Sequence, residues 1–233
     1  PFIGGRIKTD LLTLNIANNL NLELTIKETS STQKAWENVK QLLDNGKVVG
    51  LKLDCYHLEY FSNPFHFAGH YAAIYGYDNE TAFLIDTKQQ GGQVKTSLKS
   101  LALARNEKGP MSSKNLFYTL KKTDKKYELK KAIVTAIRNN ATDYINPPIN
   151  NIGYKGILKT SKEILKWFDT SKDIKSEFEA SAMIMERAGT GGALFRNLYR
   201  DFLKESYDIL KLDKLKQAHT EFIEIANLWT EIS

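Results

Sequence analysis

Cysteine is nearly absent from this sequence: Cys55 is the single one among 233 residues. That excludes an internal disulfide framework and any multi-cysteine zinc site. Histidine is scarce as well, with four residues. They offer no persuasive metal-ligand set, so neither a metal centre nor a cofactor of the protein's own is expected. Uninterrupted apolar stretches run to only a few residues, far short of the roughly 18 that a membrane-spanning helix needs. No secretory leader pattern opens the chain, and a reducing cytoplasm is the expected location. Low-complexity tracts and internal repeats are missing too.

Charge of one sign is not concentrated anywhere. The 33 basic and 27 acidic residues leave a formal +6. The parts before and after Lys121 each carry about half of that excess. A nucleic-acid reader clusters Arg and Lys on one face, so no nucleic-acid partner is expected, although a diffuse positive excess mildly suits an acidic protein partner. With 42% hydrophobic and 26% charged residues the composition is that of an ordinary folded protein rather than a disordered one.

Two organisations follow one another along the chain. Up to about Lys121, helices alternate with short strands. Leu11 to Leu20 reads as a helix and Leu22, Leu24 and Ile26 as a strand. Ser30, Ser31 and Thr32 offer caps to a helix that carries Ala35, Trp36, Val39, Leu42 and Leu43 and ends at Gly46. Strands are expected over 48–60 (with its exit), 70–77, 81–87 and 115–120, with a helix over 98–105. Antiparallel strands mixed with helices predict an α+β domain over 1–121. A lysine-rich linker at 121–126 leads to an all-helical domain over 122–233. Its helices are expected near 127–138, 156–168, 174–186, 194–207 and 212–229, with apolar stripes of Leu194, Leu198 and Phe202, and of Leu215, Phe222 and Trp229.

The most informative stretch runs from His70 to Asp86. Gly76, Asp78 and Asn79 are turn formers between two β-rich runs, so a hairpin turning near Asp78 is expected. Symmetry about Asp78 would oppose Ile74 to Ala82, Ala72 to Leu84 and His70 to Asp86, all on one face. Opposed residues stand with Cβ atoms about 5 Å apart, close enough for the Asp86 carboxylate to accept from the His70 imidazole. Such a pair is the base-and-orienter part of a nucleophilic triad, and it is equally the polar end of an ordinary hairpin face. Cys55 shares its parity with Val49, Leu51 and Leu53 and reads as a small buried hydrophobe, with a Cys55–His57 dyad as the minor alternative. Asp54, Tyr56 and Tyr60 form the opposite, polar and aromatic set, suited to lining a cleft.

These residues resemble a known family. Gly4-Gly5-Arg6, Ala35, the run Leu53-Asp54-Cys55-Tyr56-His57-Leu58-Glu59-Tyr60, His70, Gly76-Tyr77-Asp78 and Asp86 look like the N-terminal domain of butirosin biosynthesis protein H (BtrH). The stretch from Glu186 through Gly189-Thr190-Gly191-Gly192 to Leu203 resembles the helical domain that commonly follows it. The resemblance implies a papain-like fold related to the C39-type peptidases. In that family a cysteine takes an acyl group from an acyl-carrier-protein thioester and passes it to an amine. His70 and Asp86 match the family's catalytic His and Asp, and Asp54, Tyr56 and Tyr60 are expected to shape the substrate cleft. The family's cysteine lies upstream of the Gly-Gly-Arg segment, here residues 4–6, so the nucleophile is expected outside these 233 residues and the fragment by itself is expected to be inactive.

The implied partners are an acyl carrier protein and a small-molecule amine, with phosphopantetheine entering only as part of the carrier substrate. Two other readings stay open on the same fold: a C39-like cysteine peptidase and a non-catalytic binding protein. Among the remaining features, Gly189–Gly192 with Arg196 can either hold an anion or form a tight turn with a structural arginine. His219 reads as a core or boundary histidine, and His66 as a loop residue beside the cleft that can touch substrate.

Overall fold

The structure, a computed structural model, describes residues 9–109, 112–187 and 192–232. Contacts within the chain divide it into a unit spanning Thr9–Lys126 and a second one from Tyr127 onward. Residues 122–126 stay with the first unit. There Asn21, held at a φ of 52°, donates its side-chain amide to the Lys126 carbonyl, and the Thr123 hydroxyl donates to the Asn21 carbonyl.

The first unit runs α1 (Thr9–Asn19), β1 (Glu23–Lys27), α2 (Thr32–Asp44), β2 (Val49–Leu53), a 3₁₀ turn (Cys55–His57), β3 (His70–Tyr77), β4 (Thr81–Ile85), β5 (Gln93–Ser97), α3 (Leu98–Asn106) and β6 (Phe117–Lys121). Ser31 caps α2 by accepting from the Lys34 amide, and Gly46 leaves that helix at a φ of 71°. The strands form one sheet in the order β1-β6-β2-β3-β4-β5, with every neighbouring pair antiparallel. The α+β expectation is met.

β2 is the strand on which the core is built, since each of its residues is buried. Val49, Leu51 and Leu53 pack with Val39 of α2, Leu101 and Ala104 of α3, and Ile74, Leu84 and Phe117 from the neighbouring strands. Full burial of each such aliphatic side chain contributes about 1.5–3 kcal/mol, which fixes the sheet against the two helices. Gly50, on the alternate face, lies opposite Tyr118 of β6. A Cβ there would stand 2.1 Å from the Tyr118 ring, so only glycine lets that ring cross the strand.

β5 escapes sequence patterning because Gln93–Ser97 is short and polar, with Val94 and Thr96 alone turned inward at the sheet edge. Its last residue, Ser97, caps α3 through the Ser100 amide.

The second unit contains α4 (Leu129–Ile145), α5 (Gly153–Thr170), α6 (Ile174–Arg187), α7 (Gly192–Leu210) and α8 (Asp213–Ile232), at or within a few residues of the expected helices except that α4 runs on to Ile145. α7 and α8 form an antiparallel hairpin closed by Lys211 at a φ of 56°. The stripes differ from expectation on α7: Leu194 and Leu198 are exposed, and Ala193 and Leu203 are buried instead. Tyr199 meets Phe222 at 4.8 Å, and Leu215 and Ala226 complete the seam. His219 is half-buried on α8, as a boundary histidine should be.

Gly50→Ala should destabilise the first unit by about 1–3 kcal/mol through overpacking against Tyr118, and Gly50→Ala with Tyr118→Ala should recover part of that loss. Urea unfolding followed by fluorescence checks both. A Gly50→Ala protein as stable as the parent would contradict the packing.

Candidate active site

The His70–Asp86 hairpin forms with its turn at Asp78, whose side chain accepts from the Glu80 and Thr81 amides at 2.9 and 2.7 Å. Its register is not the symmetric one. Tyr77 opposes Ala82 and Gly76 opposes Phe83, after which Tyr75 bulges and Ile74 opposes Leu84. The expected pairs Ile74–Ala82 and Ala72–Leu84 are therefore replaced, because the turn spans Asp78 to Thr81 and displaces the register by three residues, of which the bulge on β3 takes back one. Continued past Ala73–Ile85, this register sets Asp86 beside Ala72 and diagonal to His70. A displacement of two residues preserves the face where a displacement of one would have reversed it. A diagonal neighbour is still within reach of an imidazole.

His70 Nε2 stands 2.7 Å from Asp86 Oδ2. The Asp86 side chain is fully enclosed and that of His70 is 16% exposed. A buried carboxylate needs donors, and Asp86 has three. They are the His70 ring, the Tyr60 hydroxyl at 2.7 Å and the Thr87 amide at 2.6 Å. Burial works to raise the Asp86 carboxyl, but the His70 and Tyr60 hydrogen bonds outweigh it and hold the group below the usual carboxylate range. Tyr60 moves the other way: burial and the adjacent Asp86 charge push its phenol up, so it remains a donor. With Nε2–H donated to Asp86, the lone pair of neutral His70 is on Nδ1, the nitrogen able to take a proton. Phe61 closes one side of the ring, edge to face at 5.4 Å.

Asp54, Tyr56 and Tyr60 do not share one face, contrary to the alternation expected of them. β2 ends at Leu53, and the 3₁₀ turn at Cys55–His57 resets the side-chain directions. Tyr60 goes to Asp86. The Asp54 side chain is 2% exposed; it caps the turn by accepting from the Tyr56 amide at 2.8 Å and meets His66 Nδ1 at 3.3 Å. Tyr56 is 48% exposed and stacks on His66 with ring centroids 4.0 Å apart.

Cys55 is buried and unpaired, as its parity indicated. Burial, then the charges of Asp54 and Asp86, push its thiol up to about 12. It is thus a thiol at neutral pH and a poor nucleophile. The same protonated thiol weakens the Cys55–His57 dyad, in which His57 Nε2 meets Glu107 at 2.6 Å.

One anchor behind Tyr60 carries no recognisable sequence signal. Glu59 accepts from the Ser97 amide and from the hydroxyls of Thr96, Ser97 and Ser100, which ties the segment before Tyr60 to β5 and α3. Hydroxyl partners some 40 residues away leave no spacing pattern to read.

The Gly4-Gly5-Arg6 segment and Gly189–Gly191 lie outside the described residues. Arg196, on the following helix, lies over the Trp229 ring at 4.0 Å, a cation–π contact within the α7–α8 hairpin. Among the described residues no helix is long and apolar enough to cross a membrane.

Comparison with known families finds two matches. Residues 1–87 match the model described as butirosin biosynthesis protein H, N-terminal. Residues 99–233 match a domain of unknown function, DUF4872. No curated protein matches the chain.

Two outcomes check this site. The Asp86 carboxyl is held lower in the folded protein than in the unfolded one, so its stabilising effect is complete above about pH 4 and is lost as the pH falls through the folded value. Asp86→Asn should therefore flatten the acid side of the stability profile, and an unchanged slope below about pH 4 would contradict the pairing. Cys55 should react with iodoacetamide at neutral pH at least about tenfold more slowly in the folded chain than after unfolding. Equal rates would place the thiol in an open environment instead.

Proposed function

The chain belongs to the DUF4872 family and carries the butirosin biosynthesis protein H N-terminal domain ahead of that region; from this premise we infer that its first unit works in acyl transfer. The reading is a papain-like cysteine acyltransferase that moves an acyl or aminoacyl group from an acyl-carrier-protein thioester to an amine of a small molecule. The observation that carries it is the enclosed His70–Asp86 pair, which presents a basic Nδ1 while a buried carboxylate holds Nε2.

The chemistry is coherent with those residues. A cysteine thiolate paired with the His70 imidazolium attacks the thioester carbonyl, and the departing carrier thiolate takes the imidazolium proton. The acyl-enzyme is again a thioester, so this exchange is nearly balanced in energy. The amine then attacks that thioester, His70 accepts the amine proton, and the cysteine leaves as the thiolate. Asp86 keeps the imidazole in one tautomer, and Tyr60 positions Asp86. Cys55, a buried thiol, is unsuited to the nucleophile's part. The resemblance assigns that part to a cysteine preceding Gly4-Gly5-Arg6. Tyr56, exposed on the turn after β2, is the aromatic surface offered to an acceptor. The diffuse excess of basic residues suits an acidic carrier protein.

Thioester consumption by the full-length gene product, with an acyl-loaded carrier protein and amine acceptors, tests the reading. His70→Ala should lower turnover by at least about 10³-fold with the far-ultraviolet circular dichroism unchanged, and Asp86→Asn by about 10²-fold or more. Turnover retained by His70→Ala would overturn the assignment.

A further inference from the structure

The dyad leaves one group of ligating side chains unexplained. Asp54, His57 and His66 each offer one ligand atom, and those atoms all lie within 4.8 Å of one another. The histidines are dispersed along the chain, yet folding collects two of them. The loop after the 3₁₀ turn returns so that the Cys55 amide donates to the Phe67 carbonyl, which brings His66 back over Asp54.

The construction is stiff at each ligand. Asp54 is fixed on both sides, its amide donating to the Ala104 carbonyl and its carboxylate accepting from the Tyr56 amide. His66 lies flat on Tyr56, with planes inclined by 17°. His57 is held by Glu107, whose carboxylate is 2.6 Å from Nε2. A carboxylate on a ring nitrogen is the usual outer support of a metal-ligating histidine. The pair His66 Nδ1–Asp54 Oδ1 at 3.3 Å is long for a hydrogen bond to a carboxylate. It equals the edge of a tetrahedron with metal–ligand bonds of about 2.0–2.1 Å, which is about 3.3 Å. A buried carboxylate facing two imidazoles is also the arrangement that a cation would complete.

We propose that Asp54, His57 and His66 bind a zinc-class divalent transition metal, with Glu107 as the positioning carboxylate behind His57. Two imidazoles and one carboxylate are borderline ligands that suit zinc, cobalt or nickel rather than magnesium or calcium. Three protein ligands leave at least one coordination position for water or a substrate atom, the pattern of catalytic rather than structural sites. Tyr56, exposed and stacked on His66, borders that position.

The test is calorimetric titration of the chelator-stripped chain with zinc chloride, with cobalt chloride followed by visible absorption. One ion per chain should bind with a dissociation constant of about 10 μM or tighter, and cobalt should give the bands of a four- or five-coordinate site. His66→Ala and His57→Ala should each weaken binding by about tenfold or more, and Glu107→Gln by a smaller factor. His66 is exposed on a loop, so its replacement spares the fold even if His57→Ala does not. His219→Ala and Cys55→Ser should bind as the parent does. Binding weaker than about 100 μM, retention of affinity in His66→Ala, or equal loss in His219→Ala or Cys55→Ser would each overturn the site.

Discussion

The enclosed carboxylate of Asp86 is the constraint on which the first unit's chemistry depends. An ion out of water is tolerated only when its lone pairs are occupied, and here three separate segments supply the donors: β3 through His70, the exit of the 3₁₀ turn through Tyr60, and the backbone after β4 through Thr87. Each donor is in turn held by something else. His70 is opposite Leu53 of the fully buried β2, and Tyr60 follows Glu59, which is tied to β5 and α3. The geometry of one imidazole thus rests on the packing of the sheet.

The same end of β2 distributes two different chemistries. Leu53 is the last strand residue, and the turn after it sends Asp54 toward His66, Cys55 into the core and His57 toward Glu107. A continuous strand would have placed Asp54, Tyr56 and Tyr60 along one face. Breaking the alternation separates the Tyr60–Asp86–His70 chain from the Asp54–His57–His66 group, while both remain on a backbone fixed by β2.

Legibility in the sequence followed periodicity. The hairpin face of His70, Ala72, Ile74, Ala82, Leu84 and Asp86 was readable because alternation survives a two-residue displacement. Its register was not readable, since nothing in Tyr-Ala-Ala-Ile-Tyr-Gly-Tyr announces that Tyr75 bulges. The helices of the second unit were visible from their apolar spacing. The buried choice on α7, Ala193 and Leu203 rather than Leu194 and Leu198, depends on which neighbour each turn meets. β5 is too polar to register as a strand, and the approach of His66 to Asp54 is made by a loop that carries no period at all.

The central claim is that Asp86 fixes His70 with Nε2 protonated and Nδ1 available. Nitrogen–proton correlation NMR of the His70 ring at neutral pH tests it most directly. For the neutral form of the ring the account predicts the proton on Nε2, and its redistribution between the two nitrogens in Asp86→Asn. A neutral ring protonated on Nδ1 in the parent, or a tautomer indifferent to Asp86→Asn, would contradict it.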